Sequence, residues 1–328
     1  MRILELATAG ATLRIAPELG GAIVSFDVAG APILRPTPPA TLAARDVRGT
    51  ACYPLVPYSN RIRDARLRFG GRSFTLARNF GAHPHAIHGA GWQRAWAVDE
   101  ATKERARLTL DHDARDAGAR TWPWPFRATQ AFHLADAVAG GAEAPGGTGS
   151  GGAARRTVLV MTLTLHNRGA EPFPFGLGFH PFFARGPATR LGFHALRAWR
   201  NDATQLPRSL VVVPPEWRFD PARALDAIAL DNVFTGWDGH ATIVDDRRGI
   251  ALVIDADRAL AFAVVYAPAN GDFVAFEPVT HETDAFNRSA AGAVGTGMRI
   301  LPPGGAFSCT MRIAAAAFAF AASPDSVR

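Results

Sequence analysis

The sequence predicts an all-β sandwich or barrel, and three observations support that prediction. Short runs of alternating or continuous apolar residues recur along the chain, such as ATLRIA at 11–16 and FVAFEP at 273–278. Turn-forming pairs such as Gly70-Gly71 and Asp245-Asp246 punctuate these runs at short intervals. No amphipathic segment approaches the roughly 12 residues expected of a regular helix. Regularly spaced short strands with this punctuation are typical of sandwiches and barrels.

The predicted strands follow one another from end to end, so we expect a single domain spanning residues 1–328. Two short alternating runs at the start predict a first hairpin. The further strand-like runs lie at 21–29, 66–77, 105–113, 157–167, 241–246, 251–256, 261–267 and 273–278.

One segment, Ala137 to Arg156, is rich in glycine and alanine and breaks this pattern. It lacks the apolar surface that would offset the entropy lost on ordering. Because strand-like runs flank it on both sides, we predict a mobile hairpin loop there, in preference to a linker between two domains.

Composition narrows the class of protein. The 328 residues are 48% hydrophobic and 20% charged, which fits a globular protein with a large core. No apolar run reaches the roughly 18 residues of a membrane helix, and the start lacks the layout of a signal peptide. We therefore expect a cytoplasmic protein that does not bind membranes, either a monomer or a homodimer. Cys52 and Cys309 are expected to be buried thiols, because two distant cysteines make no disulfide framework.

The net charge of +6 comes almost entirely from arginine, since Lys103 is the only lysine. The arginines are scattered and form no basic run interleaved with aromatic residues, which argues against nucleic acid as a partner. The excess of arginine fits a compositional bias of the genome, and the functional alternative is an anionic partner such as a phosphate. The densest group, at 61, 63, 66 and 68, alternates with apolar residues and predicts a strand edge.

Two polar residues stand beside apolar strand-like runs. Glu277 follows FVAF and precedes Pro278, and His180 lies within GLGFHPFF and precedes Pro181. Burying a carboxylate in such a place is costly unless it is paired with another group or takes part in the function of the protein. His180 taken alone is more typical of a core histidine whose hydrogen bonds are satisfied. Together, at the ends of two apolar strands, they form a candidate general base and general acid.

The segment HPHAIHG at 83–89 holds three of the ten histidines. His83 and His85 have the spacing of metal ligands on one strand face, but no convincing third ligand accompanies them. We therefore predict no metal site and no cofactor. His88, which precedes Gly89, is a candidate hydrogen-bond donor to a ligand, and a polar loop without a binding role is the alternative.

Other polar residues are candidates for ligand binding. Asn60 and Arg61 follow a proline-rich loop, and arginine offers a rigid fork for ligand oxygens, although a surface arginine is the plainer interpretation. Asp231 is expected in a loop, where it either forms a turn or accepts hydrogen bonds from ligand hydroxyl groups. Three tryptophans that could form a stacking platform, or simply pack in the core, are Trp92, Trp96 and Trp237.

Five short motifs, taken in order, resemble the aldose 1-epimerase (galactose mutarotase) family. They are NR at 60–61, HG at 88–89, GFHPFF at 178–183, LDNVF at 230–234 and FEP at 276–278, with WPWPF at 122–126 and LPPGG at 301–305 also fitting. The sequence THETDAFN after Glu277 and the Gly-rich insertion depart from the better-known members and look closer to a less characterised bacterial branch.

The resemblance implies a β-supersandwich with a ligand cleft on a concave sheet. It implies His180 as general acid and Glu277 as general base, with Asn60, Arg61, His88 and Asp231 holding a monosaccharide. The expected reaction is interconversion of α and β anomers of a free hexose by ring opening and closure. The alternatives are a hexose-6-phosphate 1-epimerase, which needs extra basic residues at the cleft rim, and a non-catalytic carbohydrate-binding protein.

Overall fold

The computed structural model describes residues 1–137, 156–226, 228–269 and 271–318. The central part of the Gly-rich segment lies outside these residues, so the loop prediction made for it is not tested. The strands on either side of it do pair as a hairpin, with Ala137 opposite Arg156.

Two large antiparallel sheets form the body of the protein, with strands numbered along the chain. The first has eleven strands: β1 (Leu4–Ala7), β2 (Ala11–Ala16), β3 (Ala22–Val28), β4 (Ala31–Pro32), β5 (Cys52–Leu55), β15 (Gly178–Ala184), β17 (Arg197–Asn201), β18 (Pro207–Val212), β20 (Leu230–Thr235), β23 (Phe262–Ala267) and β24 (Phe273–Val279). The second has nine: β10 (Ala97–Ala101), β11 (Arg105–His112), β12 (Phe126–Ala137), β13 (Arg156–Asn167), β16 (Thr189–Phe193), β19 (Phe219–Ala224), β21 (His240–Asp245), β22 (Ile250–Ala256) and β26 (Ala306–Ala317).

Shorter elements connect and cover these sheets. Three two-stranded ribbons are formed by β6 (Arg61–Ile62) with β9 (Ala86–Ile87), β7 (Arg66–Phe69) with β8 (Arg72–Thr75), and β14 (Phe173–Phe175) with β25 (Arg299–Leu301). The α-helices within the described ranges are α1 (Pro39–Ala44), α2 (Ala117–Thr121) and α3 (Ala285–Ala290). No helix in these ranges has the length and apolar character needed to cross a membrane.

The main core lies between the two sheets, because aromatic side chains from both pack there. The ring centroid of Phe193, on β16, lies 5.1 Å from that of Phe234 on β20 and 5.2 Å from that of Phe276 on β24. All three side chains are buried. The predicted all-β sandwich, without long helices, is therefore confirmed.

The opposite face of the eleven-stranded sheet carries the polar residues of interest. Side chains alternate between the two faces of a strand, so the neighbours of Phe276 point away from the main core. On β15, Phe179 and Phe183 join that core, whereas His180 and Phe182 turn to the other face. Loops and short ribbons cover this second face and form the walls of a cavity.

Several local predictions can be compared with the structure. The first hairpin is confirmed as β1 paired with β2, and both cysteines are buried free thiols. The continuous strand edge predicted at 61–68 is wrong. A 3-10 turn at Arg63–Ala65, with left-handed backbone at Asp64 and Ala65, separates β6 from β7.

Phe276→Ala should lower the free energy of unfolding by roughly 3–5 kcal/mol, because it removes a fully buried ring from between the sheets. Val294→Ala is the control, since that side chain is 94% exposed and its loss should matter little. Both are measured by denaturant unfolding. A loss below about 1 kcal/mol for Phe276→Ala would contradict this assignment of the core.

Candidate active site

The two candidate catalytic residues lie side by side on neighbouring strands. Strands β15 and β24 are antiparallel, with Gly178 opposite Val279 and Phe182 opposite Ala275. That register places His180 opposite Glu277, and directly opposed residues on one face are the closest cross-strand neighbours. His180 Nε2 lies 3.2 Å from Glu277 Oε1, and both side chains are buried.

The pair lies in the wall of a cavity of about 330 Å³ on this face of the sheet. The volume is in the range of small-molecule sites. Its lining consists of charged and polar groups beside aromatic rings: Arg35, Arg48, Tyr53, Asn60, Arg61, Phe80, His83, Ile87, His88, His180, Phe182, Asp231, Val264, Tyr266, Phe273 and Glu277. All six residues expected from the sequence therefore surround one space.

The ring of His180 is held by aromatic packing. It stacks on Phe182 with centroids 4.4 Å apart and contacts Tyr53 at 4.6 Å. Tyr53, on β5, lies directly opposite His180 of β15. The geometry of these strands therefore fixes all three rings. The buried atoms His180 Nδ1 and Glu277 Oε2 have no hydrogen-bond partner in the described part of the protein. The pair is thus held firmly but keeps unused hydrogen-bonding capacity.

A reciprocal pair of hydrogen bonds fixes the tautomer of His88. The Asn60 backbone N–H donates to His88 Nδ1 at 3.0 Å, and the His88 N–H donates to the Asn60 carbonyl at 2.9 Å. Because Nδ1 accepts, the proton of the neutral ring is on Nε2. Burial, reinforced by His180 and Arg61, holds the pKa of His88 well below its usual value. His88 is therefore a neutral imidazole that lines the cavity and carries its proton on Nε2.

The backbone is unusual at this point. Asn60 and His88 both have left-handed φ angles, of 57° and 60°. Such strain in residues other than glycine is concentrated at functional sites. Gly89 is also left-handed, and a Cβ atom there would lie 2.4 Å from the Val56 carbonyl oxygen. Gly89 thus lets the loop approach β5 closely enough to turn His88 into the cavity.

Arg61 is held by two acceptors. Its Nη2 donates to Asp231 Oδ2 and its Nη1 to Asn60 Oδ1, both at 3.0 Å. Asp231 lies opposite Tyr266 on β23. It is therefore a strand residue of β20, and the prediction that placed it in a loop was wrong. The LDNVF motif continues the alternation of the sheet, which brings Asp231 to the cavity face.

Burial favours the neutral form of both candidate catalytic groups. It raises the pKa of Glu277 well above its usual value, with a smaller contribution from Asp231, while Arg61 opposes the shift. It lowers the pKa of His180 to about 3. The imidazole of His180 is therefore neutral in the free protein. Neutral His180 and protonated Glu277 share one proton across their contact.

The segment THETDAFN after β24 acts as a brace for the loop that carries Asn60 and Arg61. His281 Nε2 accepts from the Ser59 N–H at 3.1 Å, and its Nδ1 lies 2.7 Å from the Glu282 carbonyl. The Asp284 N–H donates to the Arg61 carbonyl at 2.9 Å. Burial lowers the pKa of His281 to about 4, so this histidine is neutral and structural.

Of the two roles considered for Trp92, Trp96 and Trp237, packing in the core is confirmed, and they form no stacking platform. The indole N–H groups donate to backbone carbonyls, from Trp92 to Ile87 and from Trp96 to Gly91, and Trp237 packs in the main core. The aromatic lining comes instead from Tyr53, Phe80, Phe182, Tyr266 and Phe273, together with two arginines that sequence reasoning missed, Arg35 and Arg48. The sequence could have indicated that Phe182 lines the cavity, because it lies two residues after His180 in GFHPFF and therefore on the same face of the strand.

His83 lines the cavity, whereas His85 is buried beside it with Nδ1 accepting from the Asp64 N–H at 3.0 Å. Throughout the described ranges, no three His, Cys, Asp or Glu side chains are grouped as a metal site requires.

With the fold and the cavity described, comparison with known sequences gives the family. The sequence model of the aldose 1-epimerase family matches residues 2–138 and 155–314. The chain therefore belongs to the aldose 1-epimerase family.

Individual relatives agree with this assignment. The uncharacterized protein YphB of Escherichia coli K12 is 29% identical over 283 residues, covering 84% of this chain and 87% of YphB. The crystal structure of a candidate aldose 1-epimerase from Escherichia coli K12 has a TM-score of 0.81 at 26% identity, covering 97% and 99% of the two chains. A galactose mutarotase-like protein from Clostridium acetobutylicum has a TM-score of 0.77 at 17% identity, covering 96% and 95%, which shows the shared fold.

The raised pKa of Glu277 predicts that Glu277→Gln stabilises the protein increasingly as the pH rises above about 4.5. An unfolded carboxyl loses its proton near its ordinary pKa, whereas the folded one keeps it. The native state then binds more protons, so this group lowers stability as pH rises above about 4.5. The variant lacks that penalty, and its advantage over the wild type should grow between pH 4 and pH 8 in urea unfolding. An advantage independent of pH would contradict the shift. Glu5→Gln, at an exposed ion pair, is the control.

Proposed function

We propose that this protein is an aldose 1-epimerase that interconverts the α and β anomers of a hexose by acid–base catalysis. The observation that carries the proposal is the contact of His180 with Glu277 in the wall of a polar cavity. The two oxygens that exchange protons in mutarotation, O1 and the ring oxygen O5, are bonded to the same carbon. An acid and a base that serve them must therefore be close neighbours, as these two residues are.

Glu277 takes the proton of the anomeric hydroxyl while His180 gives a proton to O5. The C1–O5 bond breaks, C1=O1 forms, and rotation about C1–C2 presents the other face of the aldehyde. Ring closure returns the O5 proton to His180 and the Glu277 proton to O1. Protons and electrons balance over the cycle, and no further reactant is consumed. General acid–base groups act best when they lie within hydrogen-bond reach of the proton.

Burial stabilises the protonation state that the pair has after the sugar ring has opened. After ring opening Glu277 is protonated and His180 is neutral, which is the state that burial favours. The starting state needs a carboxylate and an imidazolium. Arg61 favours that carboxylate, and sugar hydroxyl groups bound in the cavity would donate hydrogen bonds to it. Substrate binding thus prepares the pair for its first proton transfer.

The remaining polar residues have the chemistry to hold the sugar. His88 offers an Nε2–H donor, and Arg61 and Asp231 present a donor and an acceptor fixed by their ion pair. His88 and Arg61 also stabilise negative charge that develops on oxygen during ring opening. A carbohydrate-binding protein without activity would need the binding residues but would gain nothing from a buried acid beside a buried base.

The direct test is polarimetry of freshly dissolved α-D-galactose and α-D-glucose with and without the protein. Glu277→Gln should lower the rate roughly a hundred- to ten-thousand-fold, because the general base is lost. Glu282→Gln is a matched control outside the cavity, since that carboxylate accepts from Trp199 and Arg288. Catalysis by folded Glu277→Gln at the wild-type rate would overturn the role of Glu277.

His180→Asn separates an enzyme from a binding protein. Asparagine keeps a hydrogen-bond donor but cannot supply a proton at neutral pH. We expect kcat to fall far more than galactose affinity, because proton transfer belongs to the transition state. Calorimetry and polarimetry on the same preparation measure both. An unchanged kcat with a large rise in Kd would make His180 a binding residue.

A further inference from the structure

One aromatic residue of the cavity, Tyr53, lies beside the acid–base pair but has no part in the chemistry described so far. It is directly opposite His180, and the register of β15 with β24 places His180 opposite Glu277. Strands β5, β15 and β24 are neighbours in the sheet, and all three side chains line the cavity. Neighbouring strands lie about 4.8 Å apart. Tyr53, His180 and Glu277 therefore form a short row across one face of the sheet, in that order.

The ring of Tyr53 is enclosed by other aromatic rings. Its centroid lies 4.6 Å from that of His180 and 5.4 Å from that of Trp92. The rings of Phe182 and His88 follow at 5.8 and 6.0 Å. Only 4% of the residue is exposed. Because a close-packed ring has no room to change rotamer, the phenol is held in its place beside His180.

The hydroxyl group of Tyr53 is open to the cavity. Among the described residues no group exchanges a hydrogen bond with it, and its oxygen is not one of the fully buried side-chain atoms that lack a partner. The oxygen is therefore accessible. Since neighbouring rings cover the phenol and the residue lines the cavity, this access is from the cavity. A phenol in such surroundings usually has a hydrogen-bond partner, so the group is suited to a bound ligand.

Tyr53 is a donor at any pH at which the protein works. Burial raises the pKa of its phenol well above the usual value, with a further contribution from Glu277, whereas Arg35 and Arg48 oppose the shift. The neighbouring histidine differs, because burial lowers the pKa of His180 to about 3. An imidazolium at His180 is thus costly to form, and a second donor at the same oxygen of the sugar would reduce the charge that it must supply.

The order of the row indicates which oxygen this is. In the proposed mechanism O1 meets Glu277 and O5 meets His180, and both oxygens are bonded to C1. The direction from Glu277 to His180 continues to Tyr53, so O5 is the nearer of the two oxygens to its hydroxyl. When the ring opens, the electron pair of the C1–O5 bond moves to O5. An oxygen that gains charge is a stronger hydrogen-bond acceptor than a neutral ring oxygen.

We propose that Tyr53 is a third catalytic residue, whose hydroxyl donates a hydrogen bond to the ring oxygen O5 while His180 transfers its proton there. The inference rests on the proposed mutarotase function and deepens it. The phenol keeps its own proton, so the transfers among O1, Glu277, His180 and O5 remain balanced. The same hydrogen bond acts in ring closure, which is the reverse of ring opening. The hydroxyl on C6 lies on the same side of the sugar, and contact with it is the competing outcome of the test.

Tyr53→Phe tests the hydroxyl alone, because phenylalanine keeps the ring that packs on His180. We expect kcat for galactose to fall roughly ten- to a hundredfold. Galactose Kd should change less than about threefold, because the contact strengthens only as charge develops on O5. Polarimetry and calorimetry measure the two quantities. Thr164→Val, which removes an exposed hydroxyl from the other sheet, is the control and should change neither. Wild-type kcat in folded Tyr53→Phe overturns the proposal, and so does a loss confined to affinity.

Sugars that lack the C6 hydroxyl separate O5 from C6. D-Fucose is galactose without that hydroxyl, and D-xylose is glucose without C6. If Tyr53 acts on O5, Tyr53→Phe should reduce kcat for all four sugars by factors that agree within about threefold, since each has the same ring oxygen. A loss seen with galactose and glucose but absent with fucose and xylose would assign the hydroxyl to C6 and overturn the role at O5.

A binding measurement makes the inference independent of turnover. The chain has three tyrosines, so tyrosine labelled with ¹³C at Cζ gives three NMR signals. Tyr58→Phe and Tyr266→Phe assign the signal of Tyr53 even if Tyr53→Phe does not fold. Anhydroglucitol, which is glucose without its anomeric hydroxyl, keeps O5 but cannot mutarotate, and the matched carbocyclic analogue has a methylene group in place of O5.

Saturating anhydroglucitol should shift the Tyr53 signal, and the carbocyclic analogue should not, because only the first offers O5 as an acceptor. Equal shifts with both compounds, or no shift with either, overturn the contact. A shift specific to anhydroglucitol supports it even if no sugar is turned over, in which case the mutarotase function fails and the contact with O5 stands. The two failures are therefore distinguishable.

Discussion

The pairing of β15 with β24 is the constraint on which the site depends. This pairing places His180 opposite Glu277, at a Nε2–Oε1 distance of 3.2 Å. Both residues lie on strands, so no loop is needed to bring them together. The same two strands send Phe183 and Phe276 into the main core. A slip of β24 by one residue in this register would turn Glu277 into the core and Phe276 into the cavity. Burial of the rings therefore enforces the geometry of the pair.

The loops that cover this face are organised from the same sheet. The segment following β24 holds the loop with Asn60 and Arg61 through His281 and Asp284, and that loop fixes His88. Each of these contacts uses a backbone group, so the side chains that face the cavity remain available. The polar residues of the site are thus linked to one another by hydrogen bonds that a ligand does not have to replace.

Much of this organisation could be predicted from the sequence, but not all of it. Alternation along FVAFEP and GFHPFF identifies Glu277 and His180, because a polar residue in an apolar strand stands out. The partners of those strands cannot be derived in the same way, since β15 and β24 are almost a hundred residues apart in the chain. Arg35 went unnoticed for a related reason. It follows an ordinary apolar stretch, and its place in the cavity depends on Phe182 and Phe273, which only the folded sheet brings to it.

The site divides into a floor made by strands and walls made by loops, and this division has an evolutionary consequence. The floor carries the candidate acid–base pair, and the same strands also carry side chains of the main core. The walls carry Arg35, Arg48 and His83, none of which is itself a residue of the hydrophobic core. Substitutions and insertions in the walls can therefore change the lining of the cavity while the floor keeps its geometry.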